Sequence, residues 1–137
     1  MGYVFAEITL KNVSDLIKES EGIIQKPEIR QTTVEAIVDT GSGTLVINEE
    51  IRQELGLELD EEKKARLANG VWETIKVADP VEINWKNRKM MCQPWYIPGA
   101  GEVLLGAIPL QEMDLMVDPN REALVGRHGD EVKGYLC

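Results

Sequence analysis

The chain is poor in the residues that most hydrolytic and redox chemistries need. It has one histidine, His128, and two cysteines, Cys92 and Cys137, in 137 residues. No Ser-His-Asp or Cys-His arrangement can be anchored on a lone histidine without a partner. The cysteines lie far apart, make no metal or redox spacing, and read as reduced thiols. Basic residues are also scarce: 15 Lys and Arg stand against 24 Asp and Glu, giving a net charge of −9. Without a basic stripe, a nucleic-acid partner has no electrostatic support. No apolar run approaches the roughly 18 residues of a membrane span. Met1 to Glu7 lacks the basic, then apolar pattern of a secretory leader, so the expected location is cytoplasmic, with no membrane partner. Position 6 is Ala, which removes the hydroxyl a myristoylation signal at Gly2 would want. Nothing implies a metal or other cofactor.

What remains is a chain that is 43% apolar, enough for one globular domain with its own core. Its most informative stretch is Val34-Glu35-Ala36-Ile37-Val38-Asp39-Thr40-Gly41-Ser42. The alternation and the β-branched residues predict a strand that ends at Asp39. A carboxylate at the end of a buried strand is costly to desolvate unless donors or another titratable group meet it. Gly41 allows a tight turn and the close approach of a ligand, and Thr40 and Ser42 offer hydroxyls. The other outcome open to such a segment is an ordinary turn, with Asp39 bonded to its own backbone.

The sequence apolar-apolar-Asp-Thr-Gly-Ser resembles the active-site motif of the aspartic peptidases, specifically the single-domain, retroviral-type (retropepsin-like) branch found also in bacteria. Later segments extend the resemblance. Val46-Ile47-Asn48-Glu49-Glu50-Ile51 and Leu55-Gly56-Leu57 are similar to the segment C-terminal to the motif in bacterial members. Asn48 is placed to cap a helix, and Gly56 to end it. Asn69-Gly70 between strand-like residues is a strong hairpin signal. It stands where the family's flap hairpin stands, which makes Asn69, Gly70, Val71 and Trp72 candidate substrate-covering residues, with a core role for Trp72 equally open. Glu102-Val103-Leu104-Leu105-Gly106 resembles the strand that passes beside the catalytic turn, before a short helix that tolerates Pro109 only in its first turn. Leu115 to Val125 reads as strand, turn and returning strand. The resemblance covers Val34 to Val125.

In chain order, Phe5 to Lys11 alternates as a first strand that pairs with the one leading to Asp39. Asn12 to Lys26 fits a wide hairpin loop or a helical turn equally well. Asp60-Glu61-Glu62-Lys63-Lys64 reads as a solvated connector. Val81 to Trp85 and Met90 to Cys92 form a second hairpin, with Pro94 arguing against a central position for the returning strand. The expected fold is therefore mainly β, a single retropepsin-like barrel domain over 1–137 with one or two short helices. Residues 1–33 form its N-terminal strand and variable insert, 34–125 its core and 126–137 a tail.

The resemblance implies a metal-free peptidase whose water is activated between two carboxylates sharing one proton. Asp39 is alone in having Thr-Gly after it; Asp79, Asp118 and Asp130 do not. The expectation is a homodimer in which two Asp39 side chains meet on a two-fold axis, with a peptide or unfolded protein as substrate. Thr40 would bond across the axis, Gly41 admit substrate backbone, Ser42 bond the outer carboxylate oxygen and favour an acidic to mildly acidic optimum, and Leu104, Leu105 and Gly106 support the turn. Two departures bear on substrate affinity: Gly43 stands where viral members have an acidic residue that contacts substrate backbone, and Leu45 where a small hydroxylic residue is common. They motivate a second reading, a non-catalytic dimer that binds peptide by strand addition. A third is a small β-domain in which Asp39 only completes a turn.

Overall fold

Alternation along the N-terminal segment builds the first strand of the protein, seen in a computed structural model that describes residues 3–66 and 69–129. Strand β1 (Val4–Asn12) turns Ala6, Ile8, Leu10 and Asn12 inward. It pairs antiparallel with β2 (Gln31–Val38) in a register that sets Val4 against Val38. Of the two options open for Asn12 to Lys26, the chain takes the helix: α1 spans Val13–Ser20. Asn12 decides this, because its Oδ1 accepts the Asp15 N–H at 3.0 Å as an N-cap. Its Nδ2 donates to the Leu55 carbonyl at 2.8 Å. Asp15, only 4% exposed, receives the Arg30 guanidinium at 2.8 and 3.0 Å and the Arg30 N–H at 3.0 Å. Those bonds hold its carboxyl below the ordinary range.

Beyond the Asp39 turn come β3 (Leu45–Ile47) and α2 (Glu49–Leu55). Asn48 caps α2 by accepting the Ile51 N–H at 3.0 Å, and Gly56 ends it in the left-handed region at φ 63. The Arg30 guanidinium lies over Gly56 in the space a Cβ would take. The charge run expected as a connector is a strand, β4 (Leu59–Arg66), hairpinned to β5 (Trp72–Ala78). Both of its faces meet water along most of its length, so no apolar alternation marks it. Charged side chains on this edge strand discourage pairing with other chains.

Next come β6 (Val81–Trp85), β7 (Arg88–Cys92), β8 (Trp95–Tyr96), β9 (Leu104–Leu105), α3 (Ala107–Glu112), β10 (Leu115–Asp118) and β11 (Ala123–Gly126). Strand β7 lies at the sheet edge, as Pro94 suggested, and Pro109 sits in the first turn of α3. The main sheet runs β4-β5-β8-β3-β9-β2-β1-β6-β7, while β10 and β11 form a separate ribbon. The whole is a mainly β single domain with short helices. Its key feature is β9, which enters between β2, parallel to it, and β3, antiparallel to it. Leu10, Leu45, Ile47, Leu55, Ile83 and Leu105 are fully buried in the core beneath. No helix among the described residues is long and apolar enough to cross a membrane. Of the predicted tail, residues 130–137 lie outside the described residues, as do Leu67 and Ala68 of the hairpin.

Candidate active site

The insertion of β9 fixes the Asp39 turn from below. Ile37 N–H donates to the Val103 carbonyl at 2.8 Å, and Asp39 N–H to the Leu105 carbonyl at 3.0 Å. The turn closes on itself through Ser42 N–H to the Asp39 carbonyl at 3.0 Å. On its far side the start of α3 takes hold: Ala107 N–H donates to Ser42 O at 2.8 Å and Ile108 N–H to Gly43 O at 3.1 Å. Between these ties sits Gly106, buried, where a Cβ would lie 2.6 Å from Ser42 O, 2.7 Å from Thr44 N and closer still to Thr44 O. A glycine is required there by proximity alone, since its φ of −94 suits any residue.

Asp39 is half-buried, and its Oδ1 accepts the Gly41 N–H at 3.0 Å. That bond is the one an Asp-initiated turn makes, and here it also orients the carboxylate. Gly41 contributes this amide without a left-handed backbone; Gly22, Gly56, Gly70 and Gly129 are the glycines of positive φ among the described residues. The Ser42 hydroxyl, expected on the carboxylate, instead donates to the Thr44 carbonyl at 3.2 Å. Thr40 is exposed at the head of the turn.

Above the turn lies a cleft of about 500 Å³, lined by Asp39, Gly41, Ser42, Gly43, Val46, Arg66, Asn69, Trp95, Ile97 and Leu104. That is within the usual size of ligand sites. Six residues singled out from the sequence thus meet here: Asp39, Gly41, Ser42, Gly43, Leu104 and Asn69. Leu105 and Gly106 are buried beneath the turn, as supports. Gly70 turns the hairpin at φ 83, while Val71 and Trp72 point outward, 52% and 63% exposed. A core role for Trp72 is excluded. Leu45 is fully buried in the core, so its departure from the family pattern concerns packing, and the neighbouring Val46 lines the cleft. Gly43 does face the cleft, with open space where a side chain would go.

Val46, Arg66, Trp95 and Ile97 are cleft residues the sequence did not reveal. Trp95 and Ile97 flank Tyr96 and face the cleft. Tyr96 points the other way and donates its hydroxyl to the Glu49 carboxylate on α2. Arg52 also binds Glu49. Hydrogen bonds from Arg52, then from Tyr96, draw the Glu49 carboxyl down to about 2. This network ties the strand bearing Trp95 to α2. His128 bonds Asp114 through Nδ1 at 2.7 Å and does not line the cleft. Among the described residues no cluster of His, Cys, Asp or Glu has the make-up of a metal site.

Comparison with known proteins adds to this geometry. The family model for aspartyl proteases matches residues 26–108, more than half of the chain. The chain is similar in structure to the retroviral protease-like domain of Ddi1 from Leishmania major, with a TM-score of 0.58 at 14% identity, covering 91% of this chain and 88% of that one. It is also similar to EIAV protease complexed with the inhibitor HBY-793, with a TM-score of 0.42 at 24% identity, covering 58% of this chain and 76% of that one. A search of curated protein sequences finds no match.

Proposed function

Because the chain belongs to the retropepsin-like aspartyl protease family, we propose that it is an aspartic endopeptidase active as a homodimer. One observation carries this reading. Among the described residues the cleft has a single carboxylate on its floor, Asp39, whose Oδ1 accepts the Gly41 backbone amide, and its other lining residues supply no second acid. A dyad then requires the Asp39 of an identical chain. The exposure of Thr40 at the head of the turn supports such a meeting, as does the exposure of Tyr3 and Phe5 beside it.

In the dimer one Asp39 is ionised and takes a proton from water, and the water oxygen bonds to the peptide carbonyl carbon. The other Asp39 is neutral and protonates the carbonyl oxygen. Collapse of the tetrahedral adduct breaks the C–N bond, and the leaving nitrogen takes a proton from the dyad. The β4–β5 hairpin is the flap. Its anchorage supports that role, since β5 joins the rest of the sheet through two residue pairs, Lys76 with Tyr96 and Val77 with Trp95. Substrate is an extended peptide or unfolded protein.

Asp39→Asn tests the reading. The variant is expected to remain dimeric in sedimentation velocity and to lose roughly 10³-fold or more in kcat/KM on an unstructured protein. A dimeric variant that cleaves as fast as the parent refutes it. The empty place beside Gly43 favours the second reading, a dimer that holds peptide without cutting it. Tight peptide binding by the parent with no cleavage at any pH selects that alternative.

A further inference from the structure

The cleft has a charged group that the proposed chemistry does not use. Arg66 is the last residue of β4 and stands opposite Trp72 in the hairpin. Its Nη2 lies 3.7 Å from where a Cβ on Gly70 would be. The side chain, although exposed, therefore lies beside the hairpin tip and lines the same cleft as Asp39. Val46, Trp95, Ile97 and Leu104 are apolar and the remaining lining is neutral, so Asp39 and Arg66 are the cleft's two charges. They form no ion pair with each other, nor does Arg66 pair with any other acid among the described residues. Arg30 and Arg52, by contrast, are committed to Asp15 and Glu49. An arginine that pairs with no acid among the described residues and lines the cleft is available to a ligand.

We propose that Arg66 is a specificity residue whose guanidinium binds a carboxylate of the substrate, an Asp or Glu side chain close to the scissile bond. The proposal rests on the peptidase reading and names the substrate class for that same cleft. The planar fork of an arginine matches a carboxylate with two parallel hydrogen bonds. Peptide in the cleft excludes water from the pair and strengthens it, and a Gln in place of Glu forfeits the charge. The net charge of −9 draws cationic peptides at long range; Arg66 imposes the opposite choice where the side chain is read. The neighbouring apolar wall of Trp95, Ile97 and Leu104 takes the flanking hydrophobic side chains. The substrate is thus an extended segment with an acidic residue among apolar ones.

The test uses the full-length parent, Arg66→Gln and Arg66→Glu on peptides that differ only in Glu, Gln or Lys at each position flanking the scissile bond. At one position the parent should cleave the Glu peptide at least about tenfold better than the Gln peptide, the size of one charge-assisted pair. The ratio should fall to about one in Arg66→Gln and turn toward the Lys peptide in Arg66→Glu. Each ratio is internal to one variant, so a general loss of stability does not move it. Cleavage by the parent with no Glu preference at any position, or an unchanged ratio in Arg66→Gln, overturns the assignment and leaves the peptidase reading intact. If the parent cleaves no peptide, anisotropy with the same labelled peptides decides. Glu-selective binding lost in Arg66→Gln supports Arg66 while the peptidase reading fails, and binding without selectivity, or no binding, overturns both.

Discussion

Replacing Gly106 with alanine isolates the contribution of close backbone contact under the Asp39 turn. The backbone at Gly106, φ −94 and ψ −172, accepts an alanine without strain, so the cost is one of space. The added Cβ would meet Ser42 O at 2.6 Å and Thr44 N at 2.7 Å, and Thr44 O more closely. Ordinary contact needs about 3.4 Å or more, and all three atoms are backbone, so the turn or the strand must yield by several tenths of an ångström. Overpacking of this kind costs about 1–3 kcal/mol, offset by roughly 0.4–1 kcal/mol from the stiffer unfolded chain. The net loss is about 1–2 kcal/mol. With a urea m value of about 2 kcal/mol/M, the midpoint should fall by about 0.5–1 M with m unchanged. The displaced atoms include the Ser42 carbonyl that anchors Ala107 at 2.8 Å, so the strain passes directly into the turn bearing Asp39. A displacement of this order should lower kcat about 10²-fold with a smaller effect on KM. Full activity together with an unmoved midpoint would show that the turn is not held from beneath by Gly106.

Two further outcomes can be measured in the same preparations. Glu49 titrates at about 2 when folded, against 4.5 ordinarily, so its contribution to stability is complete above about pH 4.5 and is lost as pH falls through 2. Tyr96→Phe removes one of its donors, so urea midpoints should drop less between pH 5 and pH 2 in the variant than in the parent; equal drops would refute the coupling. Cys92, its thiol pushed up to about 11 by burial, should react with a thiol reagent at pH 8 about a hundredfold more slowly than an ordinary cysteine when assayed in Cys137→Ser protein, and labelling at an ordinary rate contradicts its burial.

Elements whose signal is written in the local residue pattern were legible. The β1–β2 pair showed itself because one face of each strand is buried and the other wet, which forces alternation. Helix α2 was visible at both ends, in the Asn48 cap and the left-handed Gly56. Helix α1 carried a similar cap in Asn12, but its consequence depends on Asp15 meeting Arg30 across 15 residues, a pairing that local pattern does not express. Strand β4 was hidden for the opposite reason: with both faces in water, nothing selects a period of two, and its charges looked like those of a connector. In the cleft, the Asp39 turn, Leu104 and Asn69 came from contiguous motifs. Trp95 and Ile97 reach it only because β8 lies beside β3 and β5. Their position is set by strand pairing far away in sequence.

The two departures from the family pattern also separate once the chain is folded, and their separation bears on how substrate is gripped. Leu45 is absorbed by the core, so it cannot weaken a substrate contact. Gly43 leaves a bare place on the rigid turn, where viral relatives offer an acid to the peptide backbone. The charge available to substrate instead comes from the opposite wall, and with the opposite sign, from Arg66 on a hairpin joined to the sheet by two residue pairs. On the proposed reading, recognition passes from the Asp39 turn to the β4–β5 hairpin, the proposed flap. A substrate carboxylate bound to Arg66 would draw the hairpin over the peptide, so that selectivity and closure become one event. The Glu preference should then reside in kcat as well as in KM, since only the correctly charged peptide completes the enclosure that catalysis needs.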